Sequence, residues 1–257
     1  NVSDLLPERT APPTRRIFCN RTLNLRSIKA VGFDMDYTLV HYQTEHWERR
    51  CFEHVKERLL ERGWPVEDVA FDPEAMTLGL ILDLELGNIV KANRFGFVKR
   101  AQHGTRTLEY DEQRKLYARE IVDLSEPRWV FINTLFGLSE ATFYAQIVDL
   151  MDKGALPQFK GYEKAYRELR SLLNRTHMEG RLKAEIIADP ERYVQTDPNI
   201  GRTLEDLKAA GKKLLLITNS EWFYTREMMR IAVDPFLERH SSWRDLFDIV
   251  IVGARKP

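Results

Sequence analysis

The feature that most limits the fold is an apolar segment that ends in two aspartates one residue apart. The segment from Ser27 to Asp34 has the sequence SIKAVGFD, and its apolar, β-branched character predicts a buried strand. Asp36 and Thr38 follow directly. Two residues along an extended segment return to about the same side, so Asp34 and Asp36 can flank one reaction centre. We therefore expect this strand to carry a pair of carboxylates to one edge of a sheet.

The last third of the chain alternates between helical and strand-like segments. We predict helices over Pro198–Gly211 and 221–233, and buried strands over Lys212–Ser220 and Leu246–Pro257. Continuous apolar strands between helices indicate a parallel sheet that is covered on both faces. Such sheets place their sites beyond the carboxyl ends of the strands. The predicted fold class is therefore α/β, with the two aspartates at the functional edge.

The stretch from about Gly63 to Arg192 is too long for one crossover between two strands, and we interpret it as an insertion that forms a cap. Within it we predict a hairpin turned at Gly87–Asn88 and a helix from Ser139, as the N-cap, to Gly154. Further helices are predicted over Glu45–Gly63 and up to about Asn174.

Composition argues against some classes of partner. The 257 residues include 39 Lys and Arg and 39 Asp and Glu, mixed along the chain, so nothing indicates a nucleic-acid or membrane partner. Cys19 and Cys51 lie in no metal-binding spacing and suit a reducing compartment. No apolar stretch approaches transmembrane length, and no signal-peptide pattern is present, although the chain begins at Asn1. We expect a soluble, cytoplasmic protein.

Polar residues follow three of the predicted strands: Asp34 and Asp36, then Thr218-Asn219-Ser220, then Arg255-Lys256. A carboxylate can attack phosphorus, and a second one can protonate the leaving oxygen and later activate water. Mg²⁺ relieves the repulsion between two carboxylates and bridges to phosphate oxygens. A threonine hydroxyl, backbone N–H groups and a lysine can hold those oxygens. The three groups together predict phosphoryl transfer, whereas each alone could be a turn, a helix cap or a solvated strand end.

At these residues the chain resembles the haloacid dehalogenase-like superfamily and, within it, the cytosolic purine 5'-nucleotidase family. The superfamily likeness rests on DMDYTL, LLLITNS and the lysine of ARKP. The closer likeness rests on GFDMDYTLVHY, LGNIVKAN, INTLFGL, ITNSEWFYT and FDIVIVGARKP, in the family's order, from roughly Phe18 to the last residue. It implies a Rossmann-like core over 18–62 and 193–257, with a core extension and cap over 63–192. Family members often form dimers or tetramers, so a homo-oligomer is also implied.

The resemblance implies roles for the residues at the strand ends. Asp34 matches the nucleophile and Asp36 the general acid and base, and both match Mg²⁺ ligands, Asp36 through its backbone carbonyl. Thr218 matches the phosphate-binding hydroxyl, and the adjacent Asn219 and Ser220 are also predicted to bind the phosphate. Lys256 matches the lysine that neutralises the nucleophile and phosphate.

The resemblance also implies residues that bind the nucleotide. Phe136 matches an aromatic residue that stacks on the purine, and its alternative is a core phenylalanine. Arg170, His177 and Lys183 match contacts to the base and phosphate, and their alternative is a solvated helix face followed by a loop. Asn174 stands where purine-specific members carry an aspartate. Because Asn both donates and accepts hydrogen bonds, this change puts a 6-oxopurine preference in question.

Two further departures concern the end of the chain. Gly253 replaces an acidic residue in the family's VDARKP block. The superfamily's acidic fourth motif, GDxxxxD, completes the Mg²⁺ site, and no such motif occurs before Pro257. We interpret the chain as part of a longer protein that is cut before this motif.

The sequence thus predicts a Mg²⁺-dependent phosphohydrolase that cleaves nucleoside 5'-monophosphates, with purines the expected bases, through an aspartyl-phosphate at Asp34. Transfer of the phosphoryl group to another nucleoside is a possible side activity. Two alternatives stay open. The protein could be a phosphatase for another small phosphate ester, or a catalytically silent member that binds a nucleotide or a partner.

Overall fold

The structure, a computed structural model, describes residues 24–73, 77, 79–132, 137–178 and 180–255, with the backbone alone at 177 and 178. It confirms the predicted α/β class. The helices are α1 (Thr44–Glu61), α2 (Tyr110–Tyr117), α3 (Leu138–Asp152), α4 (Tyr162–Met178), α5 (Gly180–Ala188), α6 (Pro190–Tyr193), α7 (Asn199–Ala209) and α8 (Trp222–Ala232). The strands are β1 (Ala30–Phe33), β2 (His41–Tyr42), β3 (Leu80–Asp83), β4 (Asn88–Ala92), β5 (Val98–His103), β6 (Arg106–Thr107), β7 (Trp129–Ile132), β8 (Val194–Gln195), β9 (Lys213–Ile217) and β10 (Ile249–Ile251).

A three-stranded parallel sheet forms the part of the fold that carries the aspartates. Its order is β1-β9-β10, and Phe33 lies opposite Leu216, which in turn lies opposite Val250. This pairing places the carboxyl ends of the three strands at one edge of the sheet, as expected for parallel strands linked through helices.

The prediction that this sheet is covered on both faces is wrong for the described part of the chain. Phe33, Leu214 and Leu216 point into the main core, whereas Ile249 and Ile251 on the other face are exposed. Successive side chains of a strand point to opposite faces, and the buried apolar residues of α7 and α8 belong to the same core as Phe33, Leu214 and Leu216. Apolar content alone therefore overstated how much of each strand is buried.

A second sheet lies between α1 and α3 in the sequence. It has five antiparallel strands in the order β6-β5-β4-β3-β7, and β3 and β4 form the predicted hairpin, with Gly87 in the turn at φ +69°. A small core of its own lies on this sheet and includes Ile81, Val90 and Trp129. This sheet occupies the stretch that we interpreted as an insertion, while the domain boundaries at 62 and 192 stay predictions.

Helices α1, α3 and α4 pack together beside the parallel sheet. The rings of Phe52 on α1 and Phe143 on α3 stack with centroids 3.9 Å apart. Helix α3 begins two residues earlier than predicted, with Gly137 rather than Ser139 at the N-cap. The backbone N–H of Ser139 instead donates to the buried carboxylate of Glu48 at 2.6 Å. Within the described ranges, none of the helices combines the length and the apolarity that a bilayer crossing requires.

A buried carboxylate on α7 fastens the loop that follows α8. The side chain of Glu205 is buried and accepts hydrogen bonds from the backbone N–H of Arg239 at 2.6 Å and from His240 Nδ1 at 3.0 Å. Burial raises the pKa of Glu205, but the bonds from His240 and from the backbone of Arg239 and Glu238 outweigh it and lower the pKa to about 2.

The lowered pKa of Glu205 predicts a specific loss of stability in acid. Because the folded pKa lies below the ordinary value of 4.5, this carboxylate stabilises the fold above pH 4.5, and the stabilisation is lost as the pH falls towards 2. We expect Glu205→Gln to lower the free energy of unfolding at pH 7 and to flatten its fall below pH 4.5. Urea unfolding of both proteins between pH 3 and 7 measures this. Parallel pH curves for the two proteins would contradict the role of Glu205.

Candidate active site

The three parallel strands end at neighbouring positions, and polar residues follow each of them. Asp34 comes directly after β1 and Thr218 directly after β9. The loops after β9 and β10 are tied together, because the N–H of Thr218 donates to Ile251 O and the N–H of Ala254 donates to Thr218 O, each at 2.9 Å. The described residues of the pattern that the sequence predicted at three strand ends therefore lie at one edge.

The chain turns sharply between the two aspartates and β2. The carbonyl of the fully buried Met35 accepts hydrogen bonds from the N–H groups of Thr38, Leu39 and Val40 at 2.9–3.1 Å. Tyr37 adopts φ +55°, a left-handed conformation that is uncommon for a residue other than glycine. Such conformations cost free energy and are concentrated at functional sites, where the surrounding structure holds them. The turn thus holds the aspartates in a fixed, strained loop.

The carboxylate of Asp36 is held at both of its oxygens. The hydroxyl of Tyr42 donates to Oδ1 at 2.5 Å, and the hydroxyl of Ser220 donates to Oδ2 at 2.8 Å. Burial raises the pKa of Asp36, and nearby Asp34 adds to the rise, whereas the two hydroxyls and the charge of Lys183 act in the opposite direction; the net effect is a raised pKa. Asp36 is therefore a positioned carboxyl group in a partly water-excluded site.

The residues after β9 make contacts within the site. Thr218 is fully buried, and its Oγ1 accepts the backbone N–H of Ser220 at 3.0 Å. Ser220 contacts Asp36 through its hydroxyl, so its role in this structure is to hold a carboxylate. Asn219 between them is exposed. Of the three predicted phosphate-binding residues, two thus form part of the hydrogen-bonded framework and one faces solvent.

Lys183 on α5 lies beside the aspartates. Its Nζ is 3.4 Å from Oε2 of Glu221 and 5.5 Å from the ring centroid of Tyr224 on α8. Its charge acts on the pKa of Asp36, as described above. The structure therefore brings this residue of the predicted cap to the edge of the parallel sheet.

Residues 17–257 match the 5' nucleotidase family. The chain belongs to this family. It is 28% identical over 268 residues to a 5'-nucleotidase domain-containing protein of Dictyostelium discoideum, and the match covers all of this chain and 44% of that protein. It is 27% identical over 272 residues to 5'-nucleotidase domain-containing protein 2 of Homo sapiens, covering all of this chain and 51% of that protein. The chain spans about half the length of these curated relatives. The family-level resemblance drawn from the sequence is confirmed.

Two other predicted substrate contacts of this 5' nucleotidase family member lie on α4. Arg170 donates from Nη1 to the hydroxyl of Tyr166 at 2.5 Å and lies 3.6 Å from Oε1 of Glu140 on α3. Asn174 is exposed one turn further along α4. In the described part of the chain, the ion pair and hydrogen bond of Arg170 join it to α3 and α4 rather than to the aspartates.

Three predicted site residues cannot be placed by the structure. Phe136 and Lys256 lie outside the described residues, as does the side chain of His177. Their roles stay predictions from the family resemblance. Gly137 and Arg255, which flank Phe136 and Lys256 in the sequence, are described.

The oxygens of Asp34 and Asp36 are of the kind that Mg²⁺ takes as ligands. Among the described residues, no group of three or more Asp, Glu, His or Cys side chains is placed to hold a metal ion. Mg²⁺ is commonly bound through one or two carboxylates, with waters and substrate phosphate oxygens as the other ligands. The Asp34 carboxylate and the Asp36 backbone carbonyl, the two ligands that the resemblance implies, would be such a donor set, since both oxygens of the Asp36 carboxylate are held by hydroxyls.

Sequence reasoning missed two tyrosines at the site. Tyr42 contacts Asp36, and the hydroxyl of Tyr224 donates to that of Tyr42 at 3.1 Å. Both lie in the family-like blocks GFDMDYTLVHY and ITNSEWFYT. Their place in those blocks was the available signal, since an apolar ring in a strand or helix is typical of a core residue.

Proposed function

We propose that this chain carries the catalytic site of a Mg²⁺-dependent phosphohydrolase that cleaves nucleoside 5'-monophosphates. The observation that carries the proposal is the meeting of Asp34, a positioned Asp36 and Thr218 at one edge of the parallel sheet. Membership of the 5' nucleotidase family supports the substrate class. Because the chain spans about half of its relatives, the activity is proposed for the full native protein.

The proposed reaction has two steps. A carboxylate oxygen of Asp34 forms a bond to phosphorus while the bond to the sugar 5'-oxygen breaks, and the carboxylic acid of Asp36 gives its proton to that oxygen. The nucleoside leaves, and Asp34 carries the phosphoryl group. Asp36 then takes a proton from water, the water oxygen bonds to phosphorus, and the bond to Asp34 breaks, which releases phosphate. If a second nucleoside replaces water in that step, the phosphoryl group is transferred to it.

Other residues of the chain would hold the charges that move in these steps. Thr218 and the predicted Lys256 would bind the phosphate oxygens, with Asn219 at the exposed side. Mg²⁺, when bound through Asp34 and the Asp36 backbone carbonyl, supplies positive charge that stabilises the phosphoryl oxygens.

The nucleoside part of the substrate is proposed to lie between the sheet edge and α4. Lys183, whose charge acts on the pKa of Asp36, would contact the phosphate or the base. Arg170, Asn174, His177 and Phe136 would contact the base, which we propose to be a purine. A cytoplasmic location and a homo-oligomeric assembly are parts of the same proposal and rest on the family resemblance.

One observation favours a second candidate function. Arg170 is engaged by Tyr166 and Glu140, which suits a structural role for the predicted base-binding residues. In that case the same catalytic edge would hydrolyse another small phosphate ester, or bind a ligand without turnover.

The proposed function is tested by phosphate release from a panel of nucleoside 5'-monophosphates, with Mg²⁺ and with a chelator, using the full native protein. We expect Mg²⁺-dependent release, with purine nucleotides ahead of pyrimidine nucleotides. Release from simple phosphate esters but not from nucleotides would favour the second candidate. A folded protein that releases phosphate from neither would contradict an enzymatic function.

Asp36→Asn tests the proposed acid and base. The amide keeps the size of the side chain but cannot give a proton to the leaving oxygen or take one from water. We expect kcat for a nucleoside 5'-monophosphate to fall by roughly 10²–10⁴-fold, the usual contribution of general acid–base catalysis. Steady-state kinetics measures it, with far-ultraviolet circular dichroism as the control for folding. An unchanged kcat would remove Asp36 from this role.

A further inference from the structure

The hydroxyl of Tyr42 makes the shorter of the two hydrogen bonds that hold the Asp36 carboxylate. It donates to Oδ1 at 2.5 Å, compared with 2.8 Å for Ser220 at Oδ2. Tyr42 ends β2, a short strand that pairs with β8, so its backbone is fixed by sheet hydrogen bonds. Its ring is 4% exposed and lies edge-on to the ring of Tyr37, with centroids 5.3 Å apart. The phenol therefore has little freedom to move away from Asp36.

A second buried phenol fixes the first. Tyr224, on the first turn of α8, donates to the hydroxyl of Tyr42 at 3.1 Å and is also 4% exposed. The ammonium of Lys183 lies 5.5 Å from the centroid of its ring. The hydroxyl of each tyrosine can both donate and accept a hydrogen bond. Two hydrogen bonds thus form a chain from α8 to the loop after β1, from Tyr224 through Tyr42 to the carboxylate of Asp36.

We propose that Tyr42, held by Tyr224, is a positioning residue that fixes the plane of the Asp36 carboxyl group for proton transfer to the leaving oxygen. A carboxyl group held at one oxygen can rotate about its last side-chain bond, whereas bonds at both oxygens define its plane. Proton transfer requires the carboxyl oxygen to lie within hydrogen-bonding reach of the atom that receives the proton. This inference rests on the proposed function, since it concerns the same reaction.

Removing the positioning hydroxyl should affect the two esters differently in the first step alone, because in the second step Asp36 takes a proton from water whichever ester phosphorylated Asp34. An alkoxide such as the sugar 5'-oxygen is a poor leaving group and depends on protonation, whereas the oxygen of p-nitrophenyl phosphate leaves readily as an anion. We expect Tyr42→Phe to lower the single-turnover rate at which a nucleoside 5'-monophosphate releases its nucleoside by about 10- to 100-fold, the scale of a misplaced catalytic group. We expect the single-turnover rate of p-nitrophenolate release from p-nitrophenyl phosphate to change by less than about threefold, because misplacement matters little where the leaving oxygen needs no proton. Tyr224→Phe should shift the ratio of the two rates in the same direction and by less.

The chain offers a matched control for the loss of a buried phenol. Tyr117 on α2 is also buried, and its hydroxyl also donates to a buried carboxylate at 2.8 Å. That carboxylate belongs to Asp83, on β3 of the antiparallel sheet. Tyr117→Phe should lower stability without changing the ratio of the two rates. If Tyr42→Phe does not fold, the ratio of the two rates in Tyr224→Phe decides whether the positioning role holds. That variant keeps the hydrogen bond from Tyr42 to Asp36 in place.

The outcomes separate the positioning role from the proposed function. If a folded Tyr42→Phe protein loses both rates in equal proportion, or loses neither rate, the positioning role is overturned and the proposed function stands. If the unaltered protein turns over nucleotides but not the aryl ester, a lower kcat at unchanged KM for the nucleotide supports the role, and a raised KM at unchanged kcat overturns it. If the unaltered protein hydrolyses neither ester, the proposed function fails and the positioning role fails with it.

Discussion

Asp34→Asn is expected to abolish phosphate release from nucleoside 5'-monophosphates, with kcat at least about 10⁴-fold lower, as for other enzymes that lose their nucleophile. The amide nitrogen and oxygen are poor nucleophiles toward phosphorus, and no aspartyl-phosphate can form. The substitution keeps the side-chain size and the oxygen that accepts the N–H of Met35 at 2.7 Å. The protein should therefore remain folded and should still bind the nucleotide.

Two measurements check this expectation. Steady-state phosphate release gives kcat, and acid quenching with a labelled nucleotide traps the phosphoryl group on the unaltered protein but not on the variant. Asp123→Asn, on the exposed loop before β7, is the matched control and should leave both readouts unchanged. Activity that survives Asp34→Asn, or label that still binds covalently, would rule out Asp34 as the nucleophile.

The largest expected effect on stability lies away from the catalytic edge, at Asp83. This carboxylate is fully buried at the end of β3 and accepts a two-pronged bond from Arg128, at 2.8 Å from Nε and 2.7 Å from Nη2. It also accepts the hydroxyl of Tyr117 and the backbone N–H groups of Glu85 and Leu86. Asp83→Ala leaves the guanidinium and the phenol without their main partner. We expect the free energy of unfolding to fall by about 3–5 kcal/mol, as when one partner of a buried pair is removed.

Urea unfolding measures the effect of Asp83→Ala, and an exposed pair provides the control. Glu112 accepts a similar two-pronged bond from Arg106, at 2.9 and 2.8 Å, on the solvent side of the same sheet. Glu112→Ala should change stability very little, since exposed ion pairs contribute little. Equal losses in the free energy of unfolding from the two substitutions would show that burial does not determine how much the Asp83 network stabilises the fold.

The sequence predicted the catalytic edge better than it predicted the rest of the fold. Asp34 and Thr218 each follow a short, strongly apolar strand, and the geometry of parallel strands brings such positions together wherever the connections lie. The antiparallel sheet was largely missed beyond the β3–β4 hairpin. Strand β5, with the sequence VKRAQH, is polar and half-exposed, and it is held by backbone pairing with its neighbours rather than by a periodic apolar face.

The partners of the site residues could not be predicted for a different reason. Tyr42 and Asp36 are close in sequence, but their hydrogen bond depends on the turn at Met35 and on pairing of β2 with β8, about 150 residues later in the chain. Ser220 was expected to hold phosphate because of its motif, yet its hydroxyl reaches the carboxylate of Asp36. Such contacts depend on how separate loops meet, which local sequence patterns do not record.

The position of Trp222 gives the chain an optical property. Of the five tryptophans, Trp222 is 40% exposed, whereas the other four are between 2% and 6% exposed. It begins α8 two residues after Ser220, and its ring lies 6.2 Å from that of Trp243 and 4.7 Å from the guanidinium carbon of Arg244. A water-soluble quencher therefore reaches this indole ahead of the others. Its emission offers a way to follow ligands entering the catalytic edge without any added dye.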